Sequence, residues 1–250
     1  MTLQDFFRVH SRVALAFSGG VDSAYLLYAA KRWGAQVRAY YVKTRFQPQF
    51  ELEDAERLAR ELQADMQVIS LDVLDSRRIA ENPANRCYFC KRKIFSAILQ
   101  AAEADGFPML LDGTNASDNA GDRPGMRALV ELSVRSPLRE CGLTKEEIRR
   151  LSKEAGLFTW NKPAYACLAT RIPAGEEITE EKLERTEWAE DFLLSLGFTD
   201  FRVRLLDGCA RLQVPERQLP LLTEKREQIL EELKKRYRGV LLDLEVRNEQ

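Results

Sequence analysis

One histidine, His10, occurs in 250 residues, and that scarcity excludes much hydrolytic chemistry. Zinc hydrolase sites draw on two or three imidazoles, and the serine triad needs one between Ser and Asp. An excess of one charge sign is also missing. The chain holds 38 Lys+Arg against 39 Asp+Glu, a formal net charge of −1. A dedicated nucleic-acid binder ordinarily has a basic surplus. No apolar run nears the ~20 residues of a membrane span. Met1-Thr2-Leu3-Gln4-Asp5 matches neither a signal nor a transit peptide. The expectation is a cytoplasmic protein with neither membrane nor nucleic acid as partner. Internal repeats, low-complexity tracts and the G-x-x-x-x-G-K-[ST] phosphate loop are absent as well.

What is present is ordinary globular composition, 45% apolar and 31% charged. The first half alternates strand and helix signals. Val13 to Phe17 is a short apolar run suited to a strand buried on both faces. A helix is expected from Val21 to about Trp33, stopped by Gly34, and a second strand from Gln36 to Val42. Ala55, Leu58, Ala59 and Leu62 recur at helical spacing, Met66 to Leu71 reads as a third strand, and Ile94, Phe95, Ile98 and Leu99 mark another helix. Met109-Leu110-Leu111 gives a fourth strand. Such alternation predicts an α/β fold with a parallel sheet wrapped by helices.

Ala116 to Ser136, rich in Asp, Gly, Arg and Pro, reads as a functional loop. Thr144 with Glu147 forms a capping box. After Pro173-Ala174-Gly175 the pattern changes to helix (capped by Thr179), strands near 201–206 and 209–214, a charged helix near 220–237 and a strand near 240–246. The expected domains are therefore residues 1–175 and a smaller α+β domain, 176–250.

Ser18-Gly19-Gly20-Val21-Asp22-Ser23 lies between the first strand and a helix. Two glycines let the backbone approach a ligand, and the helix start offers free N–H groups and a positive dipole end to phosphate. Ser18 and Ser23 add hydroxyls, and Asp22 can reach a phosphate-bound Mg²⁺. A tight strand–helix turn is the plain alternative.

The five cysteines do not suit a disulfide framework in such a chain. Cys87-Tyr88-Phe89-Cys90 is a C-x-x-C just before a helix, flanked by Arg86, Lys91, Arg92 and Lys93. It admits a redox disulfide, half a zinc site or part of an iron–sulfur site. Zinc lacks a second pair, and the sole His precedes the first strand. Cys167 stands between Lys162 and Arg171, and cationic neighbours favour a thiolate. Cys141 and Cys209 read as small core residues.

The hexapeptide S-G-G-V-D-S resembles the pyrophosphate loop of the PP-loop ATP pyrophosphatase superfamily. Asp112-Gly113-Thr114-Asn115, ending the fourth strand, is similar to a second nucleotide element there, and so places Gly113 and Thr114 at ATP. The resemblance implies cleavage of ATP between α- and β-phosphates, adenylation of a carboxylate or carbonyl oxygen, and displacement of AMP by nitrogen or sulfur. K-P-A-Y-A-C-L-A-T-R-I-P, R-C-Y-F-C-K, G-D-R-P-G-M-R-A, V-R-S-P-L-R-E and the late R-V-R with A-R-L-Q-V narrow it. Together they resemble LarE, the sulfur transferase of nickel-pincer cofactor synthesis, from the first strand to about Val214.

That resemblance implies a mononucleotide substrate, pyridinium-3,5-biscarboxylic acid mononucleotide, whose carboxylates become the thiocarboxylates of the lactate racemase cofactor. One LarE type sacrifices a cysteine and leaves dehydroalanine. The other is similar in placing a [4Fe-4S] cluster on three cysteines. Cys87, Cys90 and Cys167 match that second type, with Mg²⁺ on Asp22. Without a cluster, Cys167 is the sacrificial nucleophile. Arg202 and Arg204, alternating on one strand face, and Arg211 on the next are expected at substrate phosphate or carboxylates, with Arg171 counted among them. Arg123 and Arg127 suit either ATP phosphates or structure. Gln213 stands where the family commonly has an acid. Homo-oligomers and handover to other nickel-pincer enzymes are implied too. A tRNA thiolase of the same superfamily predicts a basic surface that this composition does not supply. A non-catalytic nucleotide-binding regulator has no use for the three cysteines.

Overall fold

The computed structural model describes residues 1–118 and 124–247. They fall into two compact units, Met1–Val73 with Asn85–Lys162, and Leu74–Ala84 with Pro163–Gln250. In chain order the elements are α1 (Leu3–Val9), β1 (Arg12–Ala16), α2 (Val21–Arg32), β2 (Gln36–Lys43), α3 (Gln49–Glu61), β3 (Asp65–Ser70), α4 (Arg77–Ala80), α5 (Arg86–Ala104) and β4 (Leu110–Leu111). There follow α6 (Pro124–Glu131), α7 (Pro137–Glu140), α8 (Lys145–Glu154), α9 (Glu180–Ser195), β5 (Arg202–Leu206), β6 (Cys209–Gln213), α10 (Leu219–Glu224), α11 (Arg226–Leu233) and β7 (Val240–Leu242). No helix among the described residues is long and apolar enough to cross a membrane.

The first unit is built on a parallel sheet of order β3-β2-β1-β4. Its α/β character is the one the strand–helix alternation predicts. Val13 and Leu15 of β1 pack with α1, α2 and Leu58 of α3 on one face, and Ala14 packs with Tyr40 and Ile98 on the other. A strand covered on both faces has no polar side to show, which is why its sequence is a continuous apolar run. The helices carry local signals. Thr2 and Asp5 close a capping box on α1, Thr144 and Glu147 close one on α8, and Gly34 ends α2 at φ +76°.

The chain builds outward from β1 through β2 to β3, then returns to set β4 against the other side of β1. The carboxyl ends of β1 and β4 therefore flank a topological switch point, where open α/β sheets bind ligands. Two expectations are corrected. The C-x-x-C does not precede a helix but lies within the first five residues of α5, which starts at Arg86 because nothing between there and Ile94 breaks a helix. The 116–136 stretch is not all loop: α6 opens on a proline, a residue pre-organised for a first turn. Arg123 of that stretch lies outside the described residues.

In the second unit β5 and β6 form an antiparallel hairpin, with β7 parallel to β6. Asp207 and Gly208 turn the hairpin at φ +47° and +76°, the left-handed pair a two-residue loop requires. Ala189 and Leu193 of α9, with Ile229 and Leu233 of α11, bury the sheet residues Val203, Leu205, Ala210 and Leu212. The charged helix expected over 220–237 is two helices meeting at Lys225 (φ −89°, ψ 5°). Residues 163–175 and the segment 74–84 belong to this second unit. Asn82 ties them, its Nδ2 donating to the carbonyls of Ile172 (3.3 Å) and Pro173 (2.8 Å) and its carbonyl accepting from Gly175 N at 2.8 Å.

Candidate active site

The loop after β1 is shaped by its glycines and two serines. Gly19 has φ +72°, and a Cβ there would stand 3.1 Å from Ala55 Cβ, so only glycine passes α3. Ser18 Oγ lies 3.1 Å from Ser23 Oγ, and Ser23 Oγ donates to Gly20 O at 3.2 Å. Gly20 is the N-cap of α2 and supplies no side-chain cap, so Val21, Asp22 and Ser23 open the helix with its dipole end unblocked. Backbone N–H groups and a positive helix end here suit a polyphosphate.

The end of β4 packs onto that helix start. A Cβ on Gly113 would stand 3.0 Å from Ser23 N and 3.3 Å from Asp22 Cβ. Thr114 hydroxyl donates to Asp112, whose other oxygen accepts from Ser136 Oγ at 2.6 Å. Asn115 Nδ2 donates to Asp22 Oδ1 at 3.2 Å, and Lys145 Nζ donates to Asp22 Oδ2 at 2.6 Å. Ser18–Ser23 and Gly113–Thr114 are thus brought together, beside a lysine the sequence did not reveal. The capping box places Lys145 at the first position of α8, but nothing in the sequence ties it to Asp22.

All five cysteines are thiols rather than disulfides. Cys87 is exposed and Cys90 buried, three residues apart on α5 in the first unit. Cys167 belongs to the second unit, half-buried, at the N-cap of a 3₁₀ turn, Leu168–Arg171. Among the described residues no three or more His, Cys, Asp and Glu side chains form a group that could hold a metal ion. Burial pushes the Cys141 thiol up, as suits a structural residue.

The arginines expected at substrate are placed unequally. Arg171 has no exposed side-chain surface and forms a bidentate pair with Glu190, Nε to Oε1 at 2.7 Å and Nη2 to Oε2 at 3.0 Å. Its fork is spent inside the protein rather than offered to a ligand. Arg202 is 4% exposed and donates to the carbonyls of Phe201 and Ala164, both at 2.6 Å. Burial, with Arg171 and Arg247 nearby, pulls it down to about 10. Arg204 is half-buried, its Nη1 2.9 Å from Thr170 O and its Nε 3.3 Å from Gln213 Oε1. Burial and the cations Arg171, Arg211 and Arg247 lower it too. Arg211, on β6, lies 3.5 Å from Asp243. Burial is the larger cause for both, and the neighbouring cations add to it. Gln213 serves as an amide here, accepting from Arg204 and donating to Glu245 O at 3.3 Å.

Glu190 and Tyr165 of this network escaped the sequence reading. The signal for Glu190 was there. It falls on the stripe of Leu183, Thr186 and Leu193, all buried, where a carboxylate demands a partner.

A parallel sheet carrying S-G-G-V-D-S at its switch point defines an ATP-using protein of the PP-loop class. The family model of the queuosine biosynthesis protein QueC matches residues 12–82. A Lactiplantibacillus plantarum protein, pyridinium-3,5-bisthiocarboxylic acid mononucleotide synthase, is 34% identical over 210 residues, 83% of this chain and 76% of the relative. Within that class the chain belongs to the family of this synthase, the LarE family. An uncharacterized Synechocystis protein is 38% identical over 219 residues, 87% of this chain and 81% of the relative. A tRNA-specific 2-thiouridylase of Thermotoga sp. is 26% identical, over 60% of this chain and 54% of the relative.

Proposed function

We propose that this chain is an ATP-dependent sulfur transferase that converts the carboxylates of pyridinium-3,5-biscarboxylic acid mononucleotide to thiocarboxylates. The likeness to the Lactiplantibacillus synthase over 83% of the chain carries the reading. A substrate carboxylate oxygen attacks the α-phosphorus of ATP, and pyrophosphate leaves into the loop of Ser18, Gly19, Gly20, Val21, Asp22 and Ser23. Mg²⁺ arrives with ATP as part of the substrate, and Asp22 turns to it as Lys145 shifts to phosphate. Gly113 and Thr114 border the nucleotide. A sulfur nucleophile then attacks the acyl carbonyl and AMP departs. Arg204 and Arg211, with Arg202 behind them, supply the positive charge that holds the mononucleotide.

For the sulfur, the family resemblance names Cys87, Cys90 and Cys167, and thiolates are the ligands that iron–sulfur clusters take. A [4Fe-4S] cluster on them would leave one iron open to carry the sulfide to be transferred. The second reading makes Cys167 itself the donor. Its Sγ attacks the adenylate and AMP leaves. Loss of the Cα proton then breaks Cβ–Sγ, leaving sulfur on the product and dehydroalanine at position 167. A tRNA thiolase is less favoured, because the net charge of −1 gives no phosphate-binding surplus. Self-association and handover to later cofactor enzymes belong to the same proposal.

Anaerobic purification with iron and labile-sulfide analysis tests the sulfur source. The cluster reading expects iron that falls when Cys87, Cys90 or Cys167 is replaced by Ser. Iron-free protein with full activity and dehydroalanine at 167 after turnover would leave the sacrificial reading standing. Ser18→Ala or Asp22→Ala should abolish AMP formation without unfolding the protein, and full pyrophosphate release by either contradicts the loop's role.

A further inference from the structure

Three arginine side chains of the second unit bind the main chain on either side of Cys167. Arg202 Nη2 donates to Ala164 O at 2.6 Å, Arg171 Nη1 to Ala166 O at 2.9 Å, and Arg204 Nη1 to Thr170 O at 2.9 Å. The carbonyl of Cys167 accepts from Thr170 N at 2.9 Å and from Thr170 Oγ1 at 2.8 Å. That same hydroxyl accepts from Arg171 Nη1 at 2.8 Å, so the guanidinium reaches the Cys167 backbone through one side chain.

Arg171 is itself immobilised. Glu190 binds it twice, and Glu190 also accepts from Val203 N at 2.9 Å and from the Tyr165 hydroxyl. The Tyr165 ring lies 4.7 Å from the Arg171 guanidinium carbon and 5.1 Å from that of Arg202. A buried ion pair of this kind is weak evidence for stability, since apolar residues of similar volume often serve as well. What it provides that apolar packing does not is fixed hydrogen-bond direction, and its donors converge on the segment holding a half-buried thiol.

We propose that Arg171, locked by Glu190 and Tyr165, is a positioning residue that fixes the backbone on both sides of Cys167 and so presents its thiol for sulfur transfer. This rests on the reading that Cys167 donates or holds the transferred sulfur. Its consequence is a division of labour among the arginines. Arg171 serves the cysteine segment alone, while Arg204 both binds the Thr170 carbonyl and, with Arg211, supplies charge to the anion.

The test uses the full chain under anaerobic conditions. Arg171→Lys keeps the charge and loses the fork. Thr170→Val keeps the ion pair and the shape and loses the hydroxyl between Arg171 and the Cys167 carbonyl. For each, kcat and KM for the mononucleotide are measured in thiocarboxylate formation, with amide hydrogen exchange over residues 164–172. Two lost hydrogen bonds predict a kcat about tenfold lower, a KM within about twofold of wild type, and faster exchange confined to that segment. If Arg171→Lys does not fold, Thr170→Val decides alone. A raised KM with unchanged kcat would make Arg171 a substrate ligand and overturn the proposal. Loosened exchange with unchanged kcat would overturn it too. Full thiocarboxylate formation by Cys167→Ala would sink the sulfur reading and this role with it. The exchange data separate the two failures, because they report the clamp whether or not sulfur passes through Cys167.

Discussion

Replacing Gly19 by alanine perturbs the phosphate loop in two ways that can be separated. At φ +72° an L side chain pushes against its own backbone, which costs about 1–2 kcal/mol. The new Cβ would also stand 3.1 Å from Ala55 Cβ, 3.3 Å from Ala55 Cα and 3.4 Å from Ala55 N. Two of those atoms are main chain of α3 and cannot swing away, and overpacking of this kind costs roughly 1–3 kcal/mol. The sum, about 2–5 kcal/mol, is a large fraction of the roughly 5–15 kcal/mol that holds a domain folded. Either the protein loses that stability, or the loop shifts and loses its fit to phosphate. Thermal unfolding and ATP titration calorimetry read the two outcomes. The double variant Gly19→Ala/Ala55→Gly should recover part of the contact term and none of the backbone term. Ala55→Gly alone costs about 1 kcal/mol of helix propensity. A Gly19→Ala protein with wild-type melting temperature and wild-type ATP affinity would refute the argument that α3 dictates glycine here.

Lys145→Met leaves Asp22 without its 2.6 Å partner and places an uncompensated carboxylate beside the phosphates. ATP affinity should fall about tenfold or more, the worth of a charge-assisted hydrogen bond, and tighter binding by calorimetry contradicts the role given to Lys145. Glu140 is held below its ordinary value first by the hydrogen bond from Arg135. A carboxyl with a depressed folded pKa stabilises above its unfolded value, and that contribution is lost as pH falls through the folded one. Glu140→Gln should therefore flatten the loss of melting temperature between about pH 6 and about pH 3, and an unchanged slope sinks the assignment. Cys141→Ala and Cys209→Ala should leave AMP and thiocarboxylate formation at wild-type rates, measured by chromatography.

Much of the first unit was legible because its signals are local. Val13 to Phe17 reads as a doubly buried strand and β1 is offset from it by one residue, while Gly34 as a stop and Thr144 with Glu147 as a capping box occur as expected. The phosphate loop was legible for the same reason, being one strand, one turn and one helix start. What stayed hidden depends on distant partners. Lys145 meets Asp22 across 123 positions of sequence, and no spacing encodes that. Arg202 and Arg204 alternate on a strand as read, but only the fold turns Arg202 inward to the Ala164 carbonyl and leaves Arg204 half-buried. Arg171 looked like a cation beside a cysteine. Its commitment to Glu190 became visible only when α9 placed that carboxylate on its buried face. The joining of 74–84 to the second unit hangs on Asn82, a left-handed residue at φ +50° whose partners lie about ninety positions away.

The most direct test is anaerobic incubation of the full chain with ATP·Mg²⁺ and pyridinium-3,5-biscarboxylic acid mononucleotide, followed by mass spectrometry of the nucleotide products. The account predicts AMP and pyrophosphate in step with exchange of a carboxylate oxygen for sulfur, and AMP without sulfur incorporation from Cys167→Ala. AMP release that never yields thiocarboxylate in the wild-type protein, even with iron and sulfide supplied, would contradict it.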